Sequence, residues 1–215
     1  MKRSNLHLDG YEIIEGPKIT EQLLNDIKKV GDKGAVIFNH NKKNKKNDKK
    51  RIQQFIKKTD SKTILQYQKK LHKQLKKEYP NLEPTDTVVL KSLPGCQRQL
   101  PHCDYEQDLQ FATAPDSDVP LGCLSVLEKD TTLDVWIKSH RLAYLPNDLT
   151  DKVKPIKRQK IKLEVGTLLV FRGDLVHAGS SYENTNYRLH TYLDSDLVPR
   201  NKNRTWHMTN ASFIL

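Results

Sequence analysis

The stretch from Gly166 to Tyr192, GTLLVFRGDLVHAGSSYENTNYRLHTY, decides how the chain folds. Thr167 to Phe171 is a short run of branched and aromatic side chains. Arg172-Gly173-Asp174 carries turn residues, and Tyr187 to Leu193 resumes an apolar and aromatic run. No helical period joins the two runs, so each reads as a strand. Working outward, the same texture reaches back to Pro84, in Thr87 to Leu90, Gly122 to Leu127, Thr132 to Ile137 and Ile161 to Leu163. Short strands separated by turn residues predict an antiparallel sandwich or barrel rather than a parallel sheet.

The first part of the chain has a different period. Thr20 to Val30 predicts a short amphipathic helix, with Leu23, Leu24 and Ile27 as its stripe, Thr20 as cap and Gly31 after its end. Asp60 to Tyr79 predicts a longer one, in which Ile64, Tyr67, Leu71 and Leu75 recur at helical spacing and Pro80 stops it. Ala35 to Phe38 reads as a buried strand, and Asn39 to Lys50 as a low-complexity loop. The expectation is an α+β chain: a lysine-rich helical region, residues 1–84, in the same globule as a barrel of residues 85–215.

Charge is segregated along the chain. Lys42 to Glu78 holds 15 Lys and Arg against 3 Asp and Glu, a local balance of +12, whereas the rest has 22 against 23. Such a stretch suits an anionic partner, a nucleic acid or an acidic protein surface, although without interleaved aromatics it offers no base stacking. The bland reading is a solvated lysine face, as an AT-rich genome, cellular or viral, would encode. No apolar run approaches the roughly 20 residues that span a bilayer, the N-terminus lacks a signal-peptide core, and three cysteines form no spaced cluster. The expectation is a cytoplasmic or nuclear protein, with Lys42 to Arg51 as a candidate nuclear address.

Chemistry concentrates in two places. Leu100-Pro101-His102-Cys103-Asp104-Tyr105 carries a His-x-Asp pair, and His177 and Arg188 lie in the opening stretch. In an extended segment, alternation puts His102 and Asp104 on one side. With His177 they offer two imidazoles and a carboxylate, the ligand set of non-haem Fe(II) oxygenases. His7-Leu8-Asp9 repeats the pattern outside the β-rich region and serves as a decoy. Arg188, eleven residues beyond His177 and inside the next strand, needs an anion if it is buried, and its planar fork suits a carboxylate. Cys103 points away from the metal side, and His140 stabilises its own turn.

These residues resemble the Fe(II)/2-oxoglutarate-dependent dioxygenases, in the order His-x-Asp, distal His, then Arg on the following strand. The spacing to Arg188 is most similar to the phytanoyl-CoA-hydroxylase-like branch. Asp134 to Arg141 resembles the Gly-Ser-His turn of that branch, with Lys138 in place of the glycine. The resemblance covers roughly Val88 to Asp194 and implies a double-stranded β-helix, a jelly-roll or cupin-like barrel. It implies His102, Asp104 and His177 as iron ligands and Arg188 as the group gripping 2-oxoglutarate. His190 and Tyr192, on the same strand face, fall beside the co-substrate, though a packed inward histidine is the plainer reading of His190. It also implies dioxygen as oxidant, succinate as by-product and hydroxylation of a C–H bond, in a substrate left open among a nucleic acid, a protein side chain and a phosphate-bearing small molecule. A carboxylate at Asp104 fits hydroxylation, because related halogenases have a small residue there. Asp194 stands where the nucleic-acid dealkylating branch has a second arginine, and the collagen-type and Jumonji types use lysine rather than arginine. Tyr105, Gln97 and Arg98 are candidates for substrate contact. The rival reading is a non-catalytic cupin-like barrel whose basic arm binds nucleic acid.

Overall fold

Alternation of side chains along strands, together with two capped helices, builds a two-sheet sandwich in the computed structural model, which describes residues 6–36, 49–105, 113–141 and 156–198 and the backbone of 206–207. A short helix α1 (Leu6–Asp9) precedes β1 (Tyr11–Glu15). Helix α2 (Glu21–Gly31) begins where Thr20 Oγ1 accepts the Leu23 N–H at 3.2 Å. Helix α3 (Lys62–Glu78) starts two residues later than the sequence reading placed it and is capped by Ser61, whose Oγ accepts the Ile64 N–H at 3.3 Å. Both helices bury the stripes expected of them, apart from Leu24, which is half-buried, and turn their lysines outward.

The remaining strands are β2 (Ala35–Val36), β3 (Arg51–Phe55), β4 (Glu83–Ser92), β5 (His102–Cys103), β6 (Leu121–Val126), β7 (Thr132–Val135), β8 (Gln159–Lys162), β9 (Thr167–Arg172), β10 (His177–Gly179), β11 (Asn186–Asp194) and β12 (Trp206–His207). The larger sheet runs β1-β9-β6-β11-β4-β3-β2 and the smaller β12-β5-β10-β7-β8. Every pairing between them is antiparallel. This is the double-stranded β-helix.

Residues 1–84 are less helical than expected, because β1, β2 and β3 join the larger sheet. β1 pairs with β9 about 160 residues away and β3 with β4 about 40 residues away, and a five-residue run cannot announce either partner. Ala35 and Val36 form an exposed edge strand rather than a buried one, and residues 37–48, including most of the predicted loop, lie outside the described residues. No helix among the described residues is long and apolar enough to cross a membrane.

Two apolar layers result. Between the sheets lie Leu124, Val126, Leu133, Val135, Leu169, Phe171 and Leu175. Outside the larger sheet, Leu23, Ile27, Ile64, Leu71 and Leu75 of the helices pack on Val89, Leu168, Val170, Leu189 and Leu193. The central strands of the larger sheet, β9, β6, β11 and β4, are therefore covered on both faces, and β11 sends Arg188, His190 and Tyr192 to the inner one.

Candidate metal centre

β5 and β10 are two- and three-residue strands, and their antiparallel register sets His102 directly opposite His177. Their ring centroids are 4.5 Å apart. Asp104 follows His102 on the same side, and the N–H groups of Asp104 and Tyr105 both donate to the Gly173 carbonyl, at 3.1 and 3.2 Å. Gly173 sits in a turn fastened by Arg172, whose Nε and Nη2 each donate at 3.0 Å to the fully buried Asp174 carboxylate. A second turn supports His177: Ser139 Oγ accepts the Val176 N–H at 2.8 Å. The nitrogen and oxygen donors of His102, Asp104 and His177 all lie within 4.8 Å of one another, and all three residues are buried.

The backbone also sets the imidazole tautomers. His102 Nδ1 lies 2.8 Å from the Leu100 carbonyl and His177 Nδ1 3.0 Å from that of Leu175. A carbonyl only accepts, so each Nδ1 carries the proton and each Nε2 presents its lone pair. Burial pushes the His177 pKa down to about 4, so the ring is neutral at physiological pH. Two imidazoles and one carboxylate, each imidazole oriented through its second nitrogen, make a donor set that fits a divalent transition metal.

Arg188 occupies the same interior, with only 4% of its surface exposed. Its Nη1 donates to Ser92 Oγ at 3.1 Å and to Asn186 Oδ1 at 3.4 Å, and its guanidinium lies 5.2 Å from the Tyr182 ring centroid. Among the described residues no carboxylate forms an ion pair with it. A buried guanidinium held only by neutral acceptors is a site for an anion.

The other sequence candidates fall in different places. His190 Nε2 is 3.3 Å from Asp104 Oδ2, so it stands behind the carboxylate, stacked on Tyr192 at 4.4 Å. Gly122 makes this packing feasible: a Cβ there would come within 2.6 Å of Phe171 and 3.0 Å of His190 Nε2. Tyr105 is in the wall, not at an entrance; its ring covers Gly173 and its hydroxyl donates to Asp194 Oδ1 at 2.6 Å. Gln97 is exposed and Arg98 half-buried in the loop before His102. Cys103 is buried away from the site, with Sγ donating to the Asp174 carbonyl at 3.2 Å. The decoy His7 is exposed and pairs with Asp116. His140 supports its turn, Nε2 meeting the His7 carbonyl at 3.3 Å. The turn keeps the backbone a glycine would favour, with Lys138 at φ 68°.

Sequence reasoning missed Arg51, Ser92, Gln99, Arg172 and Asp174. Arg172 and Asp174 read in the sequence only as turn residues; their Arg-x-Asp spacing is the available signal. Arg51 had none, because it ends a run of lysines.

No family model matches the chain, and no curated protein matches it in sequence. Solved structures do match it in fold. A Pseudomonas putida prolyl-4-hydroxylase superposes with a TM-score of 0.59 at 12% identity, over 89% of this chain and 95% of that one. The epimerase SnoN, solved with Fe3+, alpha ketoglutarate and nogalamycin RO, gives 0.63 at 12% identity over 93% and 84%. HygX from Streptomyces hygroscopicus, with nickel and 2-oxoglutarate bound, gives 0.62 at 13% identity over 91% and 88%.

Proposed function

We propose that this chain is an Fe(II)/2-oxoglutarate-dependent dioxygenase that hydroxylates a C–H bond. One observation carries the reading: a buried cluster of two imidazoles and a carboxylate shares the interior of a double-stranded β-helix with a buried arginine held by neutral acceptors. The similar folds of SnoN and HygX, solved with 2-oxoglutarate or alpha ketoglutarate and a metal, support it.

His102, Asp104 and His177 would hold the iron, and Arg188 the far carboxylate of 2-oxoglutarate. Bound there, iron supplies dioxygen activation coupled to decarboxylation of 2-oxoglutarate to succinate. The chain's own part is orientation and exclusion of water. The Leu100 and Leu175 carbonyls fix the imidazole tautomers, the Gly173 carbonyl and the Ser139 hydroxyl fix the backbone beside Asp104 and His177, and the apolar layer around Phe171 and Leu175 keeps the site dry. Asp104 fills the position that is small in halogenases, which favours hydroxylation. The Lys138 turn and the spacing from His177 to Arg188 favour the phytanoyl-CoA-hydroxylase-like branch.

For a macromolecular partner, the exposed lysines of α3, Lys62, Lys69, Lys70, Lys73 and Lys77, support contact with an anionic surface. They project from the helix layer outside the larger sheet, whereas the metal cluster is inside. Such a partner would dock the enzyme without being gripped by the reacting groups, and its binding would weaken steeply with salt.

The test is succinate formation from 2-oxoglutarate by iron-loaded protein on exposure to oxygen. The expected outcome is succinate that requires Fe(II), oxygen and Asp104, and is lost in Asp104→Ala. If the Mn(II)-loaded protein fails to bind 2-oxoglutarate, the dioxygenase reading is wrong.

A further inference from the structure

Resting on the dioxygenase reading, we propose that Arg51 is a positioning residue that ties the metal-binding end of the site to its carboxylate-binding end through Ser92. Arg51 ends the lysine run, yet it is 1% exposed and faces inward from β3. The sheet register places it opposite Ser92 on β4, and Ser92 opposite Asn186 on β11.

Its guanidinium reaches three segments of the site. Nε and Nη2 donate to the Gln97 carbonyl at 3.1 and 2.7 Å, in the loop that leads to His102 and Asp104. Nη2 also donates to the Gly179 and Ser180 carbonyls at 2.9 and 2.7 Å, at the end of the strand that begins with His177. Nη1 donates to Ser92 Oγ at 3.3 Å, the same oxygen that accepts from Arg188. Gln99 locks the first two segments together: its N–H donates to the Gly179 carbonyl at 3.0 Å, and its Oε1 accepts the Gly179 N–H at 2.8 Å. Only a glycine permits this approach, because a Cβ at 179 would meet Gln99 Oε1 at 2.4 Å and Arg51 Nη1 at 2.8 Å.

Two consequences follow from the chemistry of these groups. Strands of two and three residues have few ladder bonds of their own, so β5 and β10 depend on the clamp for their placement. A planar fork with five N–H donors can serve acceptors of three segments at once, whereas a lysine has three donors on one atom. The Ser92 hydroxyl has two lone pairs and one hydrogen. With guanidinium donors on the acceptor side, its hydrogen turns away from both cations and donates to the carboxylate that Arg188 holds.

The experiment titrates Mn(II) and then 2-oxoglutarate into wild type, Arg51→Lys, Ser92→Ala and Ser92→Thr, with a melting curve for each. Arg51→Lys is expected to weaken both ligands by roughly tenfold, the effect of losing charge-assisted hydrogen bonds. Ser92→Ala is expected to weaken 2-oxoglutarate about fivefold or more while Mn(II) affinity stays unchanged, and Ser92→Thr to restore it. Arg51→Lys that melts lower but binds both ligands within twofold of wild type makes Arg51 a mere strut and overturns the proposal. Should Arg51→Lys not fold, Ser92→Ala decides, and unchanged 2-oxoglutarate binding there overturns it. Wild type that binds Mn(II) but not 2-oxoglutarate overturns instead the dioxygenase reading on which this rests.

Discussion

The two faces of β11 differ sharply from each other. Tyr187, Leu189 and Leu193 turn outward into the layer under α2 and α3, where burial of apolar surface stabilises the fold. Arg188, His190 and Tyr192, alternating with them, turn inward toward the cluster of His102, Asp104 and His177, where burial costs free energy unless a partner is supplied. One nine-residue strand thus stabilises the protein through its odd positions and equips the site through its even ones. The difference teaches that rigidity and chemistry are separated here by a side-chain period of two, not by distance along the chain.

Substitutions on the two faces can break that division. The largest effect is expected from Leu189→Ala, at a fully buried outward position. It should destabilise by about 2–5 kcal/mol in urea unfolding while the folded protein keeps wild-type Mn(II) affinity. A parallel loss of metal affinity would show that the faces are not independent.

Next in size is a pH effect from the inner side. Burial pushes the pKa values of His177 and His140 down to about 4. In the unfolded chain each takes a proton near pH 6.5. Between those values the unfolded state binds more protons, so stability is full above about pH 6.5 and is lost as pH falls toward 4. About 3 kcal/mol is at stake for the fully buried His177 in the metal-free protein, and less for His140. Thermal melts from pH 7.5 to 4.5 should show the decline, reduced in His140→Gln; a flat profile would contradict the neutral, buried state of both rings.

Arg188→Met sharpens the contrast from the other direction. Removing a buried cation that has no carboxylate partner among the described residues should leave stability unchanged or raise it by about 1 kcal/mol. The same variant should lose at least tenfold in 2-oxoglutarate affinity. A loss of more than about 2 kcal/mol would make Arg188 a core element instead of a ligand group. The smallest effect belongs to Lys138, held at φ 68°. Lys138→Gly should add about 0.5–1 kcal/mol and raise the melting temperature by a few degrees.

Much of this was legible in the sequence, and the reasons are local. Runs of branched and aromatic residues marked the strand before His177 and the strand that carries Arg188, and Thr20 marked the start of α2, because these signals lie within a few residues, whereas β5 and β10 are too short to carry one. The start of α3 shifted to Ser61, since two polar residues there could each cap it. β1 and β3 went unread because their partners are distant, and Arg51 was hidden among lysines from which only burial distinguishes it.

By itself the sequence determined the strand-rich character of the second half, the helices before it and the four side chains around which the candidate site is built. These follow from spacing, and spacing fixes which side of a strand or helix a residue occupies. Tertiary structure alone decided that His190 stands behind Asp104, that Tyr105 belongs to the wall, and that Arg51 joins the loop before His102 to Ser92 and Arg188. Each of those contacts joins strands or loops far apart in the chain, and only the closing of two sheets on one another, driven by burial of their apolar faces, brings such groups within a hydrogen bond's length.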